Sequence, residues 1–97
     1  MAICSDGGDK QSLRKAVLQD HLDYVEVIGD KIAMAGPLSE SDTGQYRVSI
    51  FVYDVNSMSE AETLLHNDPY YKAGLYDSVE IKEFKPAIGH LIGGRQW

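Results

Sequence analysis

Three residues able to bind charge or move protons stand out in this 97-residue sequence: Arg14, His21 and Asp68. Histidine has an ordinary pKa near neutrality, so it can both accept and donate a proton in water. A carboxylate beside it would fix its tautomer and stabilise the imidazolium. His21 and Asp68 are therefore the candidate catalytic pair, and they would meet if the loop containing Asp68 folds back on the helix containing His21.

Each of these residues also has a purely structural interpretation, and the sequence leaves both open. His21 could be half-buried and bonded to a backbone carbonyl. Asp68 precedes Pro69, and aspartate at such a step is a common turn former. Arg14 needs a salt-bridge partner or a path to solvent, and the more specific alternative is a site for an anionic ligand. Tyr70 could be an amphipathic wall of a ligand pocket or an ordinary packed ring.

Arg14 and His21 lie on a predicted helix that begins with Ser12 as its N-cap and runs to about Ile28. Arg14 and His21 interrupt its apolar arc, and because they are seven residues apart they lie on one side of the helix. The main apolar stripe comprises Leu13, Ala16, Val17, Tyr24, Val27 and Ile28, and it is widened by Leu18, Leu22 and Val25.

The remaining elements are recognised by their periodicity and their turn residues. A second helix begins at Ser57 with the capping-box sequence SMSE and ends near Asn67, because Pro69 disfavours helical backbone before it. Four segments have strand character: Met1–Ser5, Lys31–Leu38 closed by Gly36-Pro37, Tyr46–Val55 and Tyr76–Lys85. Polar turns are expected in DGGD (6–9) and in SESDTG (39–44), and residues 87–97 form a Gly-rich tail after a core of about 1–86.

The order β-α-β-β-α-β predicts a ferredoxin-like α+β fold, a four-stranded antiparallel sheet with two helices on one face. Right-handed crossovers place strands one and three in its centre. Strand 46–55 is apolar on both faces, so its second face needs a cover that one short chain lacks. We therefore expect a sheet-to-sheet homodimer that buries parts of Ser49, Phe51 and Tyr53, with the tail residues Leu91, Ile92 and Trp97 crossing to the second subunit.

Composition excludes several function classes. The chain is long enough for one domain. Its net charge of −6 opposes binding to nucleic acid or to an anionic membrane surface. No apolar run approaches the ~18 residues of a membrane span, and the N-terminus has no signal-peptide pattern, so a cytoplasmic location is expected. The lone Cys4 and the spacing of the histidines predict neither a metal site nor a cofactor.

Several segments in this order resemble the YciI-like (YCII-related) family over about residues 2–86. They are LRKAVLQDHLDY, AGPL, the two-faced strand and NDPYYKAGLYDSVEIKEF. The resemblance implies a dimeric α/β-barrel whose pocket holds a His and an Asp, which correspond to His21 and Asp68. It also implies ligand-binding roles at the positions that match Arg14, Gly36, Pro37 and Ser49. The chain departs from the family at Leu18, Gln19 and Asp20, where relatives often have Arg-Pro-Ala.

Three function classes follow from these observations. The first is a metal-independent enzyme, a lyase, isomerase or dehydrochlorinase that moves a proton on a small anionic or aromatic ligand with a His-Asp pair. The second is a non-catalytic dimer that binds a small molecule. The third is a purely structural subunit, in which His21 would be packed without a cavity. A cavity with His21 beside Asp68 would favour the enzyme, whereas a cavity whose His is held by backbone would favour the binding module. The sequence names no substrate.

Overall fold

The computed structural model describes residues 1–6, 10–39, 46–90 and 94–95. The elements in chain order are β1 (Ala2–Asp6), α1 (Gln11–Val27), β2 (Ile32–Ser39), β3 (Tyr46–Tyr53), α2 (Met58–His66), α3 (Pro69–Lys72), β4 (Tyr76–Ile81), β5 (Ile88–Gly89) and β6 (Gly94–Arg95). The tips of both predicted polar turns lie outside the described residues. So do Leu91, Ile92 and Trp97, whose expected crossing to a second subunit stays a prediction.

The main sheet has the order β2-β3-β1-β4, and every neighbouring pair is antiparallel. The ferredoxin-like fold predicted from the element order is therefore confirmed, with strands one and three in the centre. Cys4 of β1 lies between Ser49 of β3 and Val79 of β4. In the C-terminal part, β5 and β6 pair as a separate two-stranded ribbon.

The core forms where α2 covers the middle of the sheet. Ala2, Cys4 and Phe51 of the central strands pack with Leu65 of α2, and all four are at most 2% exposed. Val79 and Ile81 of the edge strand β4 pack against this cluster from the same face. Alternation along the strands thus directs one set of apolar side chains to the helices.

The opposite face of the sheet carries the residues that alternate with this set. Ile3 pairs with Ile50, while β2 places Met34 beside Val52 and Leu38 beside Val48. Met34 is 52% exposed and Leu38 48%. The prediction that a partner sheet would bury Ser49, Phe51 and Tyr53 is therefore wrong about the face. Those three lie under the chain's own helices, and any partner would meet the opposite set.

Helix α1 turns most of its predicted apolar stripe toward the sheet. Leu13, Val17, Tyr24 and Ile28 are half-buried, whereas Ala16 and Val27 of the same stripe are exposed, Val27 to 80%.

Arg14 and His21, which interrupt the apolar arc in the sequence, also point toward the sheet. Their side chains are only 13% and 12% exposed, and each is paired with a carboxylate.

The ends of several elements also differ from the predictions. Helix α1 begins at Gln11 after Lys10, so Ser12 is not its N-cap. The Lys10 side chain instead reaches across to the Gly74 carbonyl and to Asp77. Strand β3 ends at Tyr53 and β4 at Ile81, each short of its predicted limit.

Gly36 and Pro37 lie within β2 rather than ending it. Proline lacks an N–H for the sheet ladder, and it is tolerated here because β2 is an edge strand with a partner on one side only.

Helix α2 begins as predicted. The Ser57 hydroxyl accepts the Glu60 N–H at 3.2 Å. The Glu60 carboxylate accepts from the Asn56 N–H, one residue earlier than in the standard capping box. This local bonding orients α2 so that Leu65 reaches the core.

Replacing Ser57 with Ala is expected to lower the free energy of unfolding by about 1 kcal/mol, because the Glu60 N–H loses its acceptor. Ser59→Ala is the matched control, since Ser59 is exposed in the same turn and alanine favours helix there. Urea denaturation of both variants measures the difference. Equal midpoints for the two variants would contradict the assignment of Ser57 as the cap.

Candidate active site

Asp68 occupies the corner between α2 and the one-turn helix α3. Its side-chain Oδ1 accepts the Tyr70 N–H at 2.9 Å, so Asp68 is the N-cap of α3. Pro69 follows at the first helical position, where its missing N–H costs nothing. The Asp-Pro step therefore ends one helix and begins another, and it leaves the Asp68 side chain 1% exposed inside the protein.

The far end of α3 is closed by a Schellman motif. Gly74 has a φ of +75° and donates its N–H to the Tyr71 carbonyl, and Leu75 donates to the Tyr70 carbonyl at 3.2 Å. Leu75 is fully buried. Both ends of this short helix are thus fixed by local bonds. The sequence analysis missed α3, although Asp-Pro followed by Gly-Leu five residues later is its signature.

His21 approaches Asp68 from α1. Its Nδ1 lies 2.8 Å from Asp68 Oδ1, which brings together the two residues that the sequence proposed as a pair. A carboxylate can only accept hydrogen bonds, so an Asp68 carboxylate accepts from Nδ1–H in this contact. In that arrangement the neutral ring has its lone pair on Nε2. Among the side chains that the structure describes, none bonds to Nε2.

Arg14 lies two helical turns earlier and pairs with Asp6 at the end of β1. Its Nε and Nη2 make hydrogen bonds of 2.9–3.0 Å to the two carboxylate oxygens, and Nη2 is 3.4 Å from Ser49 Oγ. The Asp6 side chain is fully buried. Burial raises the pKa of Asp6, while the hydrogen bonds and charge of Arg14 act in the opposite direction.

Tyr70 stacks on the imidazole of His21, with ring centroids 4.0 Å apart and planes 14° from parallel. The Arg14 guanidinium lies 5.2 Å from the centroid of the same ring. Burial raises the pKa of Tyr70, and Arg14 opposes that rise. Tyr76 meets Tyr70 edge-on, and its buried hydroxyl has no hydrogen-bond partner within the described residues. Burial raises the pKa of Tyr76, and the nearby Ser49 side chain acts in the opposite direction.

A cavity of about 480 Å³ opens between α1 and the β2–β3 half of the sheet. Arg14, His21, Gly36, Pro37, Ser49 and Tyr70, all candidates from the sequence, line it. Asp68 does not line it, because Asp68 lies behind the imidazole. The sequence predicts the pocket between helix one, the open sheet face and the 68–76 loop, bordered by Arg14, His21, Asp68 and Tyr70. The cavity does lie against α1 and Tyr70, but it is on the helix-covered face of the sheet and Asp68 is not in its lining.

Sequence analysis missed two residues that shape this site. Asp6 was assigned to a turn, yet it supplies the partner that a half-buried Arg14 requires. Lys10 was not considered, although it ties α1 to the segment after α3. The only available signal was the need of Arg14 for an acid, which identifies no particular residue.

Within the part of the chain that the structure describes, no group of three or more metal-ligating His, Cys, Asp or Glu side chains lies together. None of the helices in the same ranges is both long and apolar enough to cross a membrane.

Comparison with known proteins identifies the family. The family model for the YCII-related domain matches residues 1–85 of this chain. The chain belongs to the YCII-related family. Curated relatives include protein YciI from Escherichia coli O6:H1 and from Shigella flexneri. Each is 28% identical over 87 residues, covering 82% of this chain and 89% of the relative.

A solved structure of similar fold carries a named activity. It is the 5-chloro-2-hydroxyhydroquinone dehydrochlorinase TftG from Burkholderia phenoliruptrix AC1100, in complex with 2,5-dihydroxybenzoquinone. The two chains superpose with a TM-score of 0.78 at 26% identity, covering 93% of this YCII-related domain and 97% of that protein. A member of this fold thus binds a small quinone.

Cys4 of this YCII-related domain is expected to be inert toward thiol reagents. Burial, followed by the charges of Asp68 and Asp6, raises the pKa of Cys4 to about 12, so the thiol stays protonated at pH 8. Ellman's reagent should label no thiol in the folded protein and one in denaturant. Rapid labelling of the native protein at pH 8 would contradict the buried, protonated assignment.

Proposed function

We propose that this domain is a cofactor-free acid–base enzyme acting on a small anionic or aromatic ligand, with His21 as the proton-transferring residue and Asp68 as its partner. The observation that carries the proposal is the bond between His21 Nδ1 and Asp68 Oδ1 at the wall of a cavity of about 480 Å³. A carboxylate behind a histidine, with the other ring nitrogen toward a cavity, is the arrangement that general base catalysis requires.

The tautomer of His21 defines the proton step. Nε2 of the neutral ring accepts a proton from a hydroxyl or an activated C–H of the ligand. The resulting imidazolium lies against the Asp68 carboxylate, which stabilises its charge while remaining ionised. Returning the proton to another ligand atom gives an isomerisation. If a leaving group instead departs with the electron pair of its bond while a double bond forms, and the proton passes to solvent, the result is a lyase reaction.

Elimination of HCl is one reaction within this class. The electron pair from the broken bond to hydrogen forms a new double bond in the ligand, and chloride leaves with the pair of the C–Cl bond. Atoms and electrons balance without an oxidant, so a base and a dry cavity suffice. The similarity to a dehydrochlorinase supports testing this reaction first.

The cavity wall matches a flat, partly apolar ligand. Its apolar members are Leu18, Leu22, Val25, Ala35, Pro37 and Phe51. Ser49 and Arg14 supply donors near one side, and the charge of Arg14 is shared with Asp6. An anionic oxygen would therefore meet hydrogen-bond donors rather than an unpaired charge. The ligand of the similar solved structure, a dihydroxybenzoquinone, has this combination of a flat ring and oxygen atoms.

The alternative is a non-catalytic domain that binds a small molecule in the same cavity. It would need no carboxylate behind the histidine, and a backbone carbonyl would hold the ring equally well. The partner of His21 is instead the buried side chain of Asp68, which favours the enzyme.

The first test is turnover of 5-chloro-2-hydroxyhydroquinone, measured as chloride release, together with thermal-shift binding of 2,5-dihydroxybenzoquinone. His21→Gln is expected to lower kcat by about 10²–10⁴-fold, the usual contribution of a general base. His66→Gln is the matched control, because His66 is exposed on α2, where its ring contacts that of Tyr71 in a tilted arrangement, and it does not line the cavity. This control should behave as the wild type.

The outcomes separate the two candidate functions. Binding of the quinone without turnover of a panel of chlorinated and hydroxylated aromatic acids and phenols would favour the binding module. Equal turnover by His21→Gln and wild type would remove His21 from the chemistry and defeat the proposal.

A homodimer formed through the outer sheet face is part of this proposal. Met34 and Leu38 leave about half of their surfaces exposed beside Val48, Ile50 and Val52 on that face. A second copy of the same sheet would cover these side chains, and sheets pack face to face at ~10 Å. The apolar surface buried between the two copies would add to the small core of a 97-residue chain.

The double variant Met34→Lys/Leu38→Lys should be monomeric at micromolar concentration, because two lysines would lose water in the interface. Both positions lie on the edge strand, so the monomer fold should tolerate them. Val27→Lys, on the outer side of α1, is the control and should remain dimeric. Sedimentation velocity decides between these outcomes, and a monomeric wild type would refute the dimer.

A further inference from the structure

Tyr70 contacts both functional side chains of α1. Its ring centroid lies 4.0 Å from that of His21 and 5.2 Å from the Arg14 guanidinium carbon. Arg14 and His21 are two helical turns apart on α1, so one residue of α3 touches both of the polar side chains that α1 turns toward the sheet.

The main chain of Tyr70 contacts the other half of the pair. Its N–H donates to Asp68 Oδ1, the same oxygen that accepts from His21. Its carbonyl accepts from the N–H of the buried Leu75. The backbone of Tyr70 is thus held on both sides, and the residue is 2% exposed.

We propose that Tyr70 is a positioning residue for the His21–Asp68 pair, an inference that rests on the proposed function. Its N–H fixes the acceptor oxygen of Asp68, and its ring fixes the plane of the imidazole so that Nδ1 meets that oxygen and Nε2 meets the cavity. The parallel stack also places the electron-rich face of the ring against the imidazolium that forms during proton transfer. The ring carries this role, and the phenolic hydroxyl does not.

This assignment differs from that of a ligand-contacting wall. A tyrosine that recognised the ligand would use its hydroxyl, and Tyr70→Phe would then weaken binding. A positioning ring predicts the reverse pattern, in which Tyr70→Phe is tolerated while removal of the ring impairs the chemical step. Both changes keep the backbone N–H, so they test the side chain alone.

The experiment compares Tyr70→Phe, Tyr70→Leu and Tyr70→Met with wild type. The first readout needs no substrate: long-range ¹H–¹⁵N spectra report which ring nitrogen of His21 carries the hydrogen. Wild type and Tyr70→Phe should show the Nδ1–H tautomer, and the Leu and Met variants a mixture. Tyr70→Met is included in case the Tyr70→Leu variant does not fold, because the flexible methionine side chain can fill irregular space. Tyr71→Leu, at the exposed neighbouring position, is the control.

The second readout is kinetic and uses chloride release from 5-chloro-2-hydroxyhydroquinone. We expect kcat to fall roughly tenfold when the ring is lost, the scale of one stacking or cation–π contact, while KM changes less than about threefold. Tyr70→Phe should stay within about threefold of wild type in both constants.

Each result bears on one proposal. Loss of kcat in Tyr70→Phe would overturn the positioning role in favour of a functional hydroxyl. An unchanged His21 tautomer and kcat in the Leu and Met variants would overturn it as well. A mixed tautomer in those variants, with turnover unaffected even by His21→Gln, would instead sustain the positioning role and defeat the proposed function.

Discussion

One oxygen atom, Asp68 Oδ1, joins the local structure of the chain to its candidate site. It accepts the Tyr70 N–H, which caps α3, and it accepts from His21, which comes from a helix 47 residues earlier. The first bond is local and holds the carboxylate still. The second exploits that fixed position to orient an imidazole. Because a carboxylate only accepts hydrogen bonds, its bond to His21 places the hydrogen of the neutral ring on Nδ1 and leaves Nε2 to accept a proton.

Helix α1 shows how charged residues can fill a buried helix face. Arg14 and His21 lie toward the sheet, and each is paired with a carboxylate whose side chain is at most 1% exposed. A buried pair of this kind adds little net stability, because desolvation offsets much of the attraction. Removing one partner, however, leaves an uncompensated charge. These two pairs are therefore better explained by the geometry they impose on the cavity than by the stability they add.

The two faces of the sheet have different surroundings. Toward the helices it presents the core at one end and the cavity wall at the other, with Ser49 and Phe51 on successive inward positions of β3. Away from the helices it presents an apolar surface that includes Ile50. A strand with two apolar faces is accordingly consistent with a chain that buries one face itself and offers the other to a second copy.

The sequence by itself determined the order of the elements, the central position of β3, the start of α2 and the residue types of the candidate pair. These features follow from local patterns: alternation, capping residues and the Asp-Pro step. Helix α3 also follows from local residues, the Asp-Pro and Gly-Leu steps, which the prediction overlooked. Tertiary structure decided which carboxylate meets Arg14 and which side chains line the cavity. Asp6 could not be assigned to Arg14 beforehand, because pairing depends on which strands and helices meet. The sequence placed Arg14 and His21 on the apolar arc of α1 but left open whether each was buried with a partner, because a buried polar residue resembles an exposed one until its partner is known.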